Sequence, residues 1–122
     1  MFSLDEPDKY LIVIIRRSPL GTQKAGEALR MALGQSITNK VTVILVDAGI
    51  FLAAPLRPEL VGGGEITKWL SKLLDMEQQV WVEAESLDKY GLDAGSLCNG
   101  TQIRERAEID KELLAADAVV VA

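Results

Sequence analysis

The chain contains no histidine and a single cysteine, Cys98. The first absence removes Ser-His-Asp and Cys-His catalysis within one chain, together with histidine metal sites. The second removes an intrachain disulfide framework and any Cys-x-x-Cys redox or zinc pair. A reducing, cytoplasmic location is the expectation that follows. Basic charge is also short: the net charge of −5 disfavours non-specific binding to nucleic acid, which needs clustered Lys and Arg against phosphate. Long apolar runs are missing, and Leu11 to Ile15 is far too brief to span a bilayer. The opening Met1-Phe2-Ser3-Leu4-Asp5-Glu6-Pro7-Asp8 is acidic, so a secretory leader is not expected.

What is present suits one folded unit. The 122 residues, 48% hydrophobic and 25% charged, have the balance of a globular chain and can bury a core without staples. A single domain over 1–122 is expected. Tyr10 to Ile15 is a continuous β-branched run, the pattern of a strand buried on both faces. Ser18 or Thr22 can cap the helix that follows, where Ala25, Ala28, Leu29, Ala32 and Leu33 make one apolar stripe and Gly34 is the expected stop. Val41 to Val46 is a second buried strand, closing at Asp47-Ala48-Gly49, and Ile50 to Ala54 suggests a short helix. The Pro- and Gly-rich segment 55–64 is an expected loop, and Ile66, Trp69, Leu70, Leu73 and Leu74 recur at helical spacing. Gln79 to Ala84 is a third strand, Leu87 to Tyr90 a helical turn ending at Gly91, and Ser96 to Asn99 an edge strand. Arg104 to Ala115 is the last helix, with Ile109, Leu113 and Leu114 inward, and Ala118 to Val121 the final strand. This alternation implies an α/β fold, a mostly parallel sheet of four or five strands between helical layers, with ligands expected at the carboxyl ends of the strands.

Those ends hold the candidate site residues. Arg16, Arg17 and Ser18 follow the first strand, Asp47 the second, and Glu83 and Glu85 the third. The arginines suit an anion or a partner's carboxylates, and equally a solvated strand end. Glu83 and Glu85 share a side if the strand runs that far. Paired carboxylates can divide into acid and base, but a strand-tip glutamate is also a natural partner for an arginine of another subunit. Cys98 has Arg104 and Arg106 nearby in sequence, which would lower a thiol pKa, against the alternative of a small buried hydrophobe. Gly21-Thr22-Gln23-Lys24-Ala25-Gly26 has two P-loop glycines but continues Glu27-Ala28 in place of Lys and Ser or Thr, so nucleotide hydrolysis is not expected. No cofactor or metal is implied.

The order of motifs resembles the DsrE/DsrF/DsrH-like sulfur-relay family, which includes the TusBCD subunits. The resemblance is carried by Ile12-Val13-Ile14-Ile15 with Ser18-Pro19-Leu20-Gly21 and Gly26-Glu27-Ala28-Leu29, by Val46-Asp47-Ala48-Gly49-Ile50-Phe51, by Trp81-Val82-Glu83-Ala84-Glu85-Ser86-Leu87 with Tyr90-Gly91-Leu92, and by Ala116-Asp117-Ala118-Val119-Val120-Val121. The segments after the second and third strands are most similar to the DsrF/TusC-like branch. The resemblance implies a three-layer, flavodoxin-like domain that forms homo-oligomers, or hetero-oligomers with a cysteine-bearing DsrE-like subunit. Active members of the family hold a persulfide on a cysteine at the end of the third strand or the start of the next helix. Here that tip reads Val82-Glu83-Ala84-Glu85-Ser86. A glutamate cannot carry sulfane sulfur, which implies a non-catalytic subunit; the negative net charge and the short apolar runs add the expectation of no direct nucleic-acid or membrane contact. Two other readings stay open: a sulfur carrier using Cys98, and a small-anion module using Arg16, Arg17, Asp47 and Glu83.

Overall fold

The computed structural model describes residues 9–18, 23–54 and 64–122, the last span without the side chains of 64–67. Five parallel strands alternate with helices: β1 Tyr10–Ile15, α1 Lys24–Gln35, β2 Lys40–Leu45, α2 Gly64–Asp75, β3 Gln79–Glu83, α3 Ala84–Tyr90, β4 Gln102–Arg104, α4 Arg106–Leu113 and β5 Ala118–Val121. Among the described residues, the 3-10 turns Asp47–Leu52 and Ala94–Ser96 interrupt the connections. The sheet order is β4-β3-β2-β1-β5. β1 therefore sits between the second strand and the last, with Val13 opposite Val43 on one side and Val120 on the other.

Strand pleating divides the core in two. Leu11, Val13 and Ile15 of β1, Val41, Val43 and Leu45 of β2, and Val80 and Val82 of β3 point to one face. There they pack under Ala25, Ala28, Leu29 and Ala32 of α1 and Leu70 and Leu73 of α2. Ile12, Ile44 and Trp81 point to the other face, under Ile109 of α4. Both faces of β1 to β3 are thus buried, which is why these strands are unbroken apolar runs.

The fold class matches the sequence expectation. Five local expectations do not. The edge strand is Gln102–Arg104, while Ser96–Asn99 forms a turn whose Cys98 amide donates to the Ala53 carbonyl at 2.8 Å. β3 stops at Glu83, so Glu85 lies in the first turn of α3 and shares no strand face with Glu83. α4 ends at Leu113; Leu114 occupies its C-cap and is 88% exposed. The N-cap of α1 is Gln23, with no side-chain capping bond, so Ser18 lies too far upstream to cap it. Gly34 is inside that helix, whose end is held by the Ser36 hydroxyl donating to the Leu33 carbonyl. Thr22 and most of the 55–64 loop (55–63) lie outside the described residues.

Tyr10 ties the sheet to α4. Its hydroxyl donates to Glu112 at 2.9 Å and meets the Thr42 hydroxyl at 2.8 Å. Burial, above all, pushes its pKa up to about 12; the Thr42 bond pulls it down, and Glu112 pushes it further up. Since the folded value lies above the ordinary 10.0, this contribution to stability is complete below pH 10.0 and is lost as pH rises toward about 12. A spectrophotometric titration should show Tyr10 ionising late, and Tyr10→Phe should remove its share of the alkaline loss of stability.

Candidate functional site

The parallel sheet places all strand ends on one side, so the tips of β4, β3, β2 and β1 form a row. The middle of that row is a closed polar network. Glu83 ends β3 and is the N-cap of α3, with extended φ −70° and ψ 123°. Its side chain is 5% exposed. Arg106, the first residue of α4, donates from Nε to Glu83 Oε2 at 3.0 Å and from Nη2 to Oε1 at 3.2 Å. This is the two-pronged geometry that makes arginine the preferred carboxylate partner. The Ser86 hydroxyl donates to Glu83 Oε1 at 2.6 Å and accepts the Asp47 amide at 2.8 Å.

The network spans three strand tips. Asp47 follows β2 with φ +48°, in the left-handed region that a non-glycine residue rarely adopts. The Ser86 hydroxyl fixes its amide, and Lys89 pairs with its carboxylate at 3.4 Å. Glu85 reaches across from α3 to accept the Arg106 amide at 3.0 and 3.2 Å. It therefore occupies the amino end of α4, where a carboxylate satisfies an orphan N–H and the helix dipole. Gly49 completes the arrangement: a Cβ there would overlap the Ile15 carbonyl oxygen, so only glycine lets this turn lie against the end of β1.

The chemistry available here is limited. Burial pushes the Glu83 carboxyl up, but Arg106 and Ser86 hydrogen bonds and the Arg106 charge outweigh it and hold the pKa below the ordinary value, against a smaller upward push from Asp47. Both oxygens accept hydrogen bonds from Arg106 or Ser86, so the group serves as an ionised cross-link.

Of the residues singled out in the sequence, Asp47, Glu83 and Glu85 come together. The side chains of Arg16 and Arg17 are exposed and, among the described residues, engage neither this network nor any other group. Ser18, half-buried, lies one residue further along. Cys98 is elsewhere, half-buried against the α1–α2 side of the core. Burial pushes its thiol up, and its own amide hydrogen bond pulls less strongly down. Arg106 is bound to Glu83, and Arg104 donates to Glu108 at 3.1 Å and to Gln102 while lying 4.9 Å over the Trp81 ring. The sequence reading sets Arg106 near Cys98 and Ser86 in the strand tip, and misses that both bind Glu83. Ser86 was visible as the third residue after a strand-tip acid, a spacing that one helical turn closes.

Among the described residues no helix is long and apolar enough to cross a membrane. The DsrE/DsrF-like family model matches residues 9–122. No curated protein matches significantly. Similar folds occur in the YchN protein from E. coli, with TM-score 0.80 and 21% identity over 93% of this chain and 99% of that one. The protein of unknown function MTH1491 from Methanobacterium thermoautotrophicum has TM-score 0.70 and 12% identity, over 94% of this chain and 100% of that one. The protein of unknown function BT1422 from Bacteroides thetaiotaomicron has TM-score 0.68 and 13% identity, over 92% and 94%.

Proposed function

The chain belongs to the DsrE/DsrF-like family, and from that premise we propose that it is an auxiliary subunit of a cytoplasmic sulfur-relay assembly, without persulfide chemistry of its own. Membership supports a sulfur-relay-type function at the level of the family. The finer reading is carried by one observation: the third-strand tip presents Glu83, locked between Arg106 and Ser86. A carboxylate so held neither accepts sulfane sulfur nor exchanges its partners cheaply. The tip of this subunit is a fixed surface, and the thiol that carries sulfur belongs to another DsrE-like chain.

Cys98 does not substitute for that thiol. A carrier cysteine needs a stabilised thiolate and access, whereas this one is half-buried with its pKa pushed up. The test is mass spectrometry of the native protein after incubation with a persulfide donor, beside alkylation of native and unfolded protein. No gain of one sulfur is expected on native Cys98, and alkylation should be at least about tenfold slower in the native state. A persulfide on native Cys98 would make the chain an active carrier and overturn the auxiliary reading. Coexpression with a cysteine-bearing DsrE-like chain from the same source should yield a stable hetero-oligomer, and the sulfur should load on that partner.

A further inference from the structure

The chain holds two asparagines, Asn39 and Asn99, and the fold treats them in opposite ways. Asn39 is tied down. Its amide donates to the Gln35 carbonyl at 2.9 Å and its side chain to Gln35 Oε1 at 3.0 Å. The amide of the next residue, Lys40, donates to the Lys9 carbonyl at 3.0 Å. Asn99 is followed by Gly100, and both are exposed. Among the described residues, neither the Asn99 side chain nor the Gly100 amide makes a hydrogen bond.

The turn explains why a glycine stands there. Thr101 donates to the Cys98 carbonyl from its amide at 3.3 Å and from its hydroxyl at 2.7 Å, which closes a turn with Asn99 and Gly100 at its centre. Gly100 has φ +95°, a conformation that disfavours any side chain, and a Cβ there would come within 3.2 Å of Leu74. A turn built this way sets a bare, unhindered amide nitrogen immediately after an asparagine side chain.

We infer that Asn99 is a modification site: in the folded protein its side-chain amide is converted to aspartate and isoaspartate through attack by the Gly100 amide nitrogen, with water as co-reactant. The nitrogen bonds to Cγ of Asn99, and the Cγ–Nδ2 bond breaks. The Gly100 amide proton passes through solvent to the departing nitrogen, which leaves as ammonia. A succinimide ring remains, and water adds to either of its carbonyls. Opening at Cγ gives aspartate in the ordinary backbone. Opening at the Asn99 main-chain carbonyl gives isoaspartate, in which the chain runs through Cβ. Nothing is oxidised or reduced; asparagine and water become a carboxylic acid and ammonia. At neutral pH each product adds one negative charge to the −5 of the chain, next to Cys98. Isoaspartate also inserts a methylene into the main chain between Cys98 and Gln102, the residue that opens β4. The reaction is independent of any sulfur chemistry.

The experiment keeps the whole folded chain in heavy-oxygen water at about 37 °C and about pH 8 for several days, beside the same chain unfolded in guanidinium chloride. Digestion in ordinary water and peptide mass spectrometry follow. The Asn99 peptide should gain about 3 Da, from the loss of ammonia and the uptake of one labelled oxygen. It should split into two products, of which an isoaspartate-directed methyltransferase labels one. Unfolding should speed conversion of Asn99 by less than about threefold and that of Asn39 by at least about tenfold, because only Asn39 is held by the fold. Asn99→Gln, whose longer side chain closes the corresponding ring poorly, should keep the circular dichroism spectrum and show no gain at that position. An Asn99 that stays unconverted in the folded chain while the unfolded chain converts would overturn the proposal. Conversion to aspartate without isoaspartate would also overturn it, since that product ratio excludes attack by Gly100.

Discussion

Glu83→Ala is expected to lower stability by about 2–3 kcal/mol, which for a domain of this size moves the melting temperature by about 10 °C. The substitution removes the acceptor of both Arg106 bonds and of the Ser86 hydroxyl, and leaves a gap at a position whose side chain is 5% exposed. The cost is set below that of a fully buried pair because Arg106 is 63% exposed and recovers solvent when its partner is gone. Glu83→Gln keeps the volume and one acceptor and should cost about half as much. The two variants also differ from the wild type in pH dependence. Folding lowers the Glu83 pKa from its ordinary 4.5. Its contribution is therefore complete above pH 4.5 and is lost as pH falls through the lower folded value. Denaturant melts across the acid range should show wild type and Glu83→Gln converging as pH falls. A constant gap down to the acid limit would mean that Glu83 stabilises by packing and not by charge.

Gly49→Ala is expected to be at least as severe, about 3 kcal/mol or more. The added methyl would overlap the Ile15 carbonyl oxygen and come within 2.8 Å of the carbonyl carbon, both of which are backbone. That carbonyl accepts the Val46 amide at 3.1 Å, and the Gly49 amide donates to Val46 at 2.9 Å, so the turn has no direction in which to yield cheaply. Relief requires lifting Asp47–Leu52 off the end of β1, which also drags Asp47 from Ser86. Chemical denaturation should therefore report a large loss for Gly49→Ala and a small one for Gly95→Ala, where the space is open apart from an Asp93 oxygen at 4.0 Å.

The central strands were legible because parallel strands buried on both faces must be apolar at every position, and Tyr10–Ile15, Val41–Leu45 and Val80–Val82 are nearly so. The short edge strand was not, because Gln102–Arg104 is partly solvated and carries no periodicity, while the apolar pair Leu97-Cys98 nearby imitates one. The candidate site was legible in half. Its carboxylates stand at strand ends, where pattern alone points. Arg106 lies 23 residues from Glu83, and their meeting depends on β4 pairing beside β3, a long-range fact that local spacing does not encode. The sequence reading offered Glu83 as a partner for an arginine of another subunit, whereas in this chain Arg106 donates to both of its oxygens. Leu114 shows the converse failure: the pattern carries the expected helix on to Ala115, while the helix itself ends at Leu113.

The position of β1 has a consequence for how the chain assembles. β1 joins β2 across a loop of modest length, Tyr10 opposite Lys40, but joins β5 only through contacts such as Tyr10 with Asp117, 107 residues apart. Loop closure alone makes the second junction only about 1 kcal/mol costlier than the first. The difference lies in reward, since β1 and β2 bury their side chains on joining and β5 leaves all of its own exposed. The last strand is thus the last to dock and the first to leave. Its amides should exchange hydrogen through local opening, while those of β2, enclosed by β1 and β3, exchange only when the whole domain unfolds. Each such opening bares the flank of β1, so the stretch of chain that organises the fold is guarded by the strand that holds to it least.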